Sequence, residues 1–161
     1  MNAASEYLTV FNQLIKESEE LYHGAAKQMG ISEGTFWILY SLRYAQMPLT
    51  QKDLCHLLYQ PKQTVNSAIK KMVSEGLVYL DDANGHRSKN LCLTEKGRRL
   101  AQQTVDLIRD AEIRAAEALT LDEQIRFLEL FRKLETKFRE NIAQIIPISL
   151  QSEGEKNDEE N

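Results

Sequence analysis

The sequence predicts a mainly α-helical chain carrying one small β-hairpin. Three observations lead there. Long stretches repeat their apolar residues every three or four positions, the period of an amphipathic helix. Residues 49–78 hold two short helical segments with an abrupt break at Tyr59-Gln60-Pro61. Just beyond them, two short extended segments flank Asn84-Gly85, a dipeptide suited to a hairpin turn.

At 161 residues with 42% hydrophobic content, the chain is long enough for one domain, placed at 1–150, with an extension at 151–161. It has no run of 18 apolar residues, so no membrane span is expected. The N-terminus shows no apolar signal-peptide core. Cys55 and Cys92 are too few for a disulfide framework, which points to a reducing cytoplasm.

The elements follow in order. Residues 5–29 form a first helix with a stripe of Tyr7, Leu8, Phe11, Leu14, Ile15, Leu21 and Tyr22. Ser32 caps a second helix, Glu33 to Tyr44, which is apolar nearly all round and so buried on several sides. Thr50, with Asp53 three residues on, is a capping box for a third helix carrying Leu54, Leu57 and Leu58. Pro61 suits the start of a fourth, whose apolar face is Val65, Ile69, Met72 and Val73, and Gly76 stops it. Two short helices joined by a tight turn make a helix-turn-helix. Leu77-Val78-Tyr79-Leu80 and Asn90-Leu91-Cys92-Leu93 are the strands of a wing, tipped by His86, Arg87 and Lys89. Thr94 caps a single long helix over 95–118, and Thr120 caps a last one that Pro147 closes. These terminal helices hold more apolar surface than a small winged lobe can cover. The expectation is a two-fold dimer built from residues 5–29 and 95–146 around a winged lobe at 32–94; an intramolecular helical cap is the alternative. Residues 151–161 are acidic and without period, as in a disordered tail.

The net charge of −4 would argue against nucleic acid, but the charge is unevenly spread. Residues 49–99 carry nine Lys/Arg against five Asp/Glu, a balance of +4. Residues 151–161 carry one against five, a balance of −4. Positive charge thus gathers where a helix-turn-helix meets phosphate. Lys62, Gln63, Thr64, Asn66 and Ser67 occupy the first turns of the fourth helix. There Gln63 and Asn66 can pair with adenine and Lys62 with guanine or phosphate. Lys70 and Lys71 lie further along, and Thr50 and Gln51 can reach phosphates. For any one of them the plainer reading is a solvated polar face; the cluster points to DNA.

Leu49-Thr50-Gln51, Leu54, Thr64-Val65-Asn66-Ser67, Gly76-Leu77-Val78, Arg87 and Leu93-Thr94-Glu95-Lys96-Gly97 follow one pattern without a gap. In these residues the chain resembles the MarR family of winged helix-turn-helix transcriptional regulators. It departs at Gly85, where the family usually has an acidic residue two before the wing arginine; Asp82 lies nearby but out of register. The resemblance implies a homodimeric repressor on a pseudo-palindromic double-stranded operator, released by a small aromatic or phenolic ligand. It implies a pocket between the dimer helices and the DNA-binding lobe, for which Phe11, Trp37 and Tyr40 are the candidates. Core packing is the simpler reading of Trp37 and Tyr40. An activator of the same family, or a winged helix that binds protein, are the other functions weighed. No Gly-rich phosphate loop, HExxH or nucleophile elbow suggests an enzyme, and no cofactor is expected. His23, His56 and His86 fall on three elements, which argues against a metal site. Cys55 reads as a small core filler, and Cys92 can face either side of its strand.

Overall fold

The computed structural model describes residues 2–82 and 89–146. Its contacts divide the chain into two compact units, one up to residue 112 and one from residue 113.

In the first unit the helices are α1 (Ala3–Gln28), α2 (Glu33–Tyr44), α3 (Gln51–Leu58), α4 (Lys62–Ser74) and α5 (Glu95–Gln103), followed by the start of α6 (Val105–Glu117). The strands are β1 (Leu49–Thr50), β2 (Val78–Asp81) and β3 (Asn90–Leu93). They form an antiparallel sheet in the order β1-β3-β2, with Thr50 and Asp81 both opposite Asn90. The winged helix-turn-helix is therefore present, with a third strand that sequence reasoning missed.

Helix α2 is the hub, touching α1, α3, α4, α5 and β3. Phe36, Ile38 and Leu39 are fully buried there, each burial worth roughly 1.5–3 kcal/mol. Leu54 of α3, Val65, Ile69 and Met72 of α4, and Leu91 of β3 complete the core with Ala101 and Val105. Two apolar expectations fail. Val73 stays 41% exposed, because the buried face of α4 is carried by Val65, Ile69 and Met72. Leu57 stays 55% exposed, because it borders an open cavity rather than the core.

The caps explain the helix starts. The Ser32 hydroxyl accepts from Thr35 N, and Thr50 and Asp53 form the full capping box expected of them. Helix α3 ends on Tyr59, whose φ of +50° is left-handed, and Gln60 N then bonds back to Cys55 O. That conformation costs a residue with a Cβ about 1–2 kcal/mol relative to glycine. Tyr59 is 92% exposed, so its side chain returns little by packing. Tyr59→Gly is expected to raise stability to urea by up to ~1 kcal/mol after the larger chain entropy of glycine is offset; a lower midpoint would show that the ring stabilises the turn.

The motif after β3 is a lock on the end of α4. Helix α4 closes through Gly76, with φ of +68°, and Leu77 N bonds to Met72 O. The Leu77 carbonyl accepts from Thr94 N at 3.0 Å, and the Thr94 hydroxyl donates chiefly to Gly76 O at 2.7 Å, with Leu77 O at 3.2 Å, while Thr94 Oγ1 also caps Gly97 N. Lys96 Nζ reaches Glu75 O at 2.7 Å. Gly97 sits so close that a Cβ there would stand 2.0 Å from Leu77 O.

The long helix expected over 95–118 is broken at Thr104, with φ −131° and ψ −86°. Thr104 is buried, and its hydroxyl donates to Leu100 O at 2.6 Å. Its amide turns to Ala101 O instead of continuing the i−4 ladder. A buried threonine bonding back to the preceding turn is a recognised source of such a bend.

The second unit contains the end of α6 and α7 (Leu121–Ile145). Thr120 and Glu123 form a second full capping box, and the hydrogen bonds from Thr120 hold the Glu123 carboxyl below its ordinary pKa. Gln124 Nε2 ties α7 to the turn before it, donating to Ala116 O and Leu119 O. No residue of α7 is buried.

Candidate nucleic-acid interface

Helix α4 starts differently from its neighbours. Pro61 stands at its N-cap and offers no side-chain hydrogen bond, whereas α1, α2, α3, α5 and α7 are all side-chain capped. The first amides of α4 are therefore left to solvent or to an acceptor from outside. Around them Lys62, Gln63 and Thr64 are exposed and Asn66 is half-buried. Ser67 is exposed, but its hydroxyl donates to Gln63 O at 2.9 Å. Lys70 and Lys71 are exposed one turn on, and Lys71 Nζ lies 3.9 Å from Glu75. Such a surface pair contributes little, so Lys71 can turn to a phosphate at small cost.

At the start of α3 the picture is more committed. The Thr50 hydroxyl donates to Asp53 Oδ2 at 2.7 Å and accepts from Asp53 N, which leaves it no proton for a phosphate. Gln51 is half-buried beside it. In the wing, Lys89 Nζ pairs with Asp82 Oδ2 at 2.7 Å. Asp82 thus meets Lys89, a pairing that the register of the wing did not suggest. His86, Arg87 and the Asn84-Gly85 turn lie outside the described residues.

A cavity of about 840 Å³ opens between α2, α3 and α4. Trp37 and Tyr40 line it, together with Tyr44, Leu57 and, from α4, Thr64 and Val65. Phe11 does not; it lies on α1, stacked on Tyr7 with 6.0 Å between ring centroids. Trp37 and Tyr40 also pack against the core, as the simpler reading of them expects.

Behind α2, two carboxylates of α6 gather five side chains, of which only Tyr40 was a candidate site residue from the sequence. Tyr22 and Tyr40 both donate their hydroxyls to Glu112, and Arg109 joins the pair at 3.3 Å from Glu112 and 3.0 Å from Tyr40. Arg43 grips both oxygens of Asp106 through Nε and Nη2, and Tyr44 donates to the same carboxylate at 2.8 Å. Burial, then the carboxylate acceptor, pushes Tyr22 and Tyr44 up to about 12. The Arg43 hydrogen bonds hold Asp106 below the usual carboxylate range. The only sequence trace is spacing: Tyr40 and Tyr44 fall four apart, Asp106, Arg109 and Glu112 three apart. Each set shares a helix face, but nothing local says that the two faces meet.

Among the described residues no group of His, Cys, Asp or Glu could hold a metal ion, and no helix is long and apolar enough to cross a membrane.

Residues 29–88 match the sequence pattern of the MarR family. No curated protein sequence matches the chain. Solved structures do. A MarR family regulator from Neisseria meningitidis aligns with a TM-score of 0.72 at 20% identity, over 91% of this chain and all of its own. The Staphylococcus aureus MepR–DNA complex aligns at 0.68 and 20% identity, over 85% of this chain and 99% of that one. A Staphylococcus aureus MarR in complex with salicylate and kanamycin aligns at 0.65 and 17% identity, over 85% and 93%. At such identities the likeness is one of fold.

Proposed function

The chain carries a MarR family segment at residues 29–88 within the fold of that family's transcriptional regulators, and from that premise we propose that it is a sequence-specific double-stranded DNA-binding regulator, acting as a homodimeric repressor that a small ligand releases. The observation that carries this reading is α4. Its uncapped N-terminus, exposed Lys62 and the Gln63 and Asn66 amides form a surface suited to the major groove, where all four base pairs are distinguishable. Lys70, Lys71, Gln51 and Lys89 supply phosphate contacts, with His86 and Arg87 of the wing. The hydroxyls of Thr50 and Ser67 serve the protein's own caps and turns, so their part in DNA contact is secondary.

A dimer accounts for the apolar surface. Tyr7, Leu8 and Leu14 of α1 are exposed, and so are Ile125, Leu128 and Phe138 of α7. Pairing two reading helices by a two-fold axis gives a pseudo-palindromic operator with half-sites about 10 bp apart. The cavity is of a size that takes a drug-like molecule, and its wall includes the first turn of α4. A ligand there acts on DNA affinity only through its preference for one spacing of the two heads.

The test is duplex binding by the full chain, on DNA flanking its own gene, as salt is raised. A dimer by light scattering and a log–log salt slope of several units are expected. Gln63→Ala and Asn66→Ala should each relax base preference at one position per half-site by ~1–3 kcal/mol. Arg87→Ala should weaken all sequences alike. A salt-independent affinity, or a monomer, refutes the reading.

A further inference from the structure

We infer that the cavity between α2, α3 and α4 selects lipophilic aromatic cations over aromatic acids. The inference rests on the ligand reading above and supplies the ligand's charge. It runs against the phenolic anions that the family resemblance implies.

Charge is the first ground. Among the described residues, no lysine, arginine or histidine lines the cavity, and Glu33 is its charged side chain. The arginines on neighbouring positions are already matched: Arg43 by Asp106, Arg109 by Glu112. A carboxylate entering this space would lose water and gain no counter-charge, which is costly. Glu33 itself has a 3.4 Å contact with His23, both side chains more than half exposed, a pairing too weak to take it out of play.

Hydrogen bonding is the second. An acid needs donors, and the hydroxyl protons of Tyr40, Tyr44 and Ser41 are spoken for. Tyr40 gives its proton to Glu112, Tyr44 to Asp106, and Ser41 to Trp37 O at 2.8 Å. The remaining polar side chains, Gln46, Gln60 and Thr64, are exposed and keep their water. The third ground is the aromatic wall. Trp37, Tyr40 and Tyr44 line the cavity, and aromatic rings attract desolvated cations, tryptophan best of all. Tyr44 already holds the Arg109 guanidinium 5.5 Å from its ring centre. The C-terminal end of α2, at Tyr44 and Ala45, adds a negative helix pole, and Glu33 offsets the positive pole at its start; the uncapped first turn of α4, where Thr64 and Val65 line the wall, sets a positive pole against them, so the Glu33 charge decides the balance.

Trp37 is the only tryptophan in the chain, so its fluorescence reports this cavity directly. Tetraphenylphosphonium and tetraphenylborate have the same shape and opposite charge; salicylate serves as a small acid. Tetraphenylphosphonium is expected to change Trp37 emission at a concentration at least tenfold lower than either anion. Glu33→Gln should weaken the cation several-fold without tightening salicylate to match, and Glu33→Lys should reverse the order of phosphonium and borate. Equal or better response to the anions, an unchanged phosphonium affinity in Glu33→Gln, or no response to any probe overturns the inference. DNA binding measured on the same samples keeps the two readings apart: its failure strikes the regulator, not the charge preference of the cavity.

Discussion

Gly97→Ala is expected to destabilise the winged lobe more than any other single methyl group added to it. The new Cβ would lie 2.0 Å from Leu77 O and 3.0 Å from Leu77 C. A flexible side chain could swing aside, but this neighbour is a backbone carbonyl. It is held by Thr94 N and Thr94 Oγ1, and it directly follows the left-handed Gly76 that ends α4. Moving it breaks those bonds and shifts the junction of α4, β2 and α5 together. Overpacking of this kind costs about 1–3 kcal/mol, and the upper end or beyond is expected where backbone must move. Urea unfolding gives the measurement. Gly34→Ala is the control: its Cβ would meet only Ala68 Cβ, at an ordinary 3.5 Å, and alanine favours the helix by up to ~1 kcal/mol. Equal stability of Gly97→Ala and the parent chain would refute this account of the glycine.

Asp106→Ala is the second large effect. It removes the acceptor of three Arg43 hydrogen bonds and one from Tyr44, and leaves a guanidinium only one-third exposed without its charge partner. Partial access to water softens the loss, so a cost of about 2 kcal/mol is expected rather than the larger penalty of a dry ion pair. The pH dependence carries the same signature. Because Arg43 depresses the folded pKa of Asp106, the pair's contribution is full above the ordinary carboxylate pKa of about 3.9 and is lost as pH falls through the lower folded value. Asp106→Asn should therefore flatten the acid limb of a stability–pH curve and leave its neutral limb parallel to the parent. An acid limb as steep in Asp106→Asn as in the parent would assign that loss to other carboxylates.

What the chain's local pattern revealed, and what it hid, follows from range. Ser32, Thr50 with Asp53, and Thr120 with Glu123 mark helix starts because a cap is satisfied within three residues. Glu33–Tyr44 and Asn90–Leu93 fell where their periods placed them. β1 escaped because two residues have no period. The break at Thr104 escaped because threonine is ordinary on a helix surface and bends the chain here only by being buried. The Asp106 and Glu112 clusters escaped for a third reason: their partners stand some 60 to 90 positions away, joined only when α1, α2 and α6 pack. The candidate reading face was legible as a run of amides and lysines, since exposure on one side of α4 follows from burial of Val65, Ile69 and Met72 on the other.

The two-residue strand β1 has a mechanical consequence. Strand β3 returns from the wing and is stitched on one edge to β2, which leaves α4, and on the other to Leu49-Thr50, which enters α3. Both helices of the head and the hairpin beside them are thus riveted to a single crossbar. A displacement of β3 is therefore passed through two ladders at once, to the start of α3 on one edge and to the strand that follows α4 on the other.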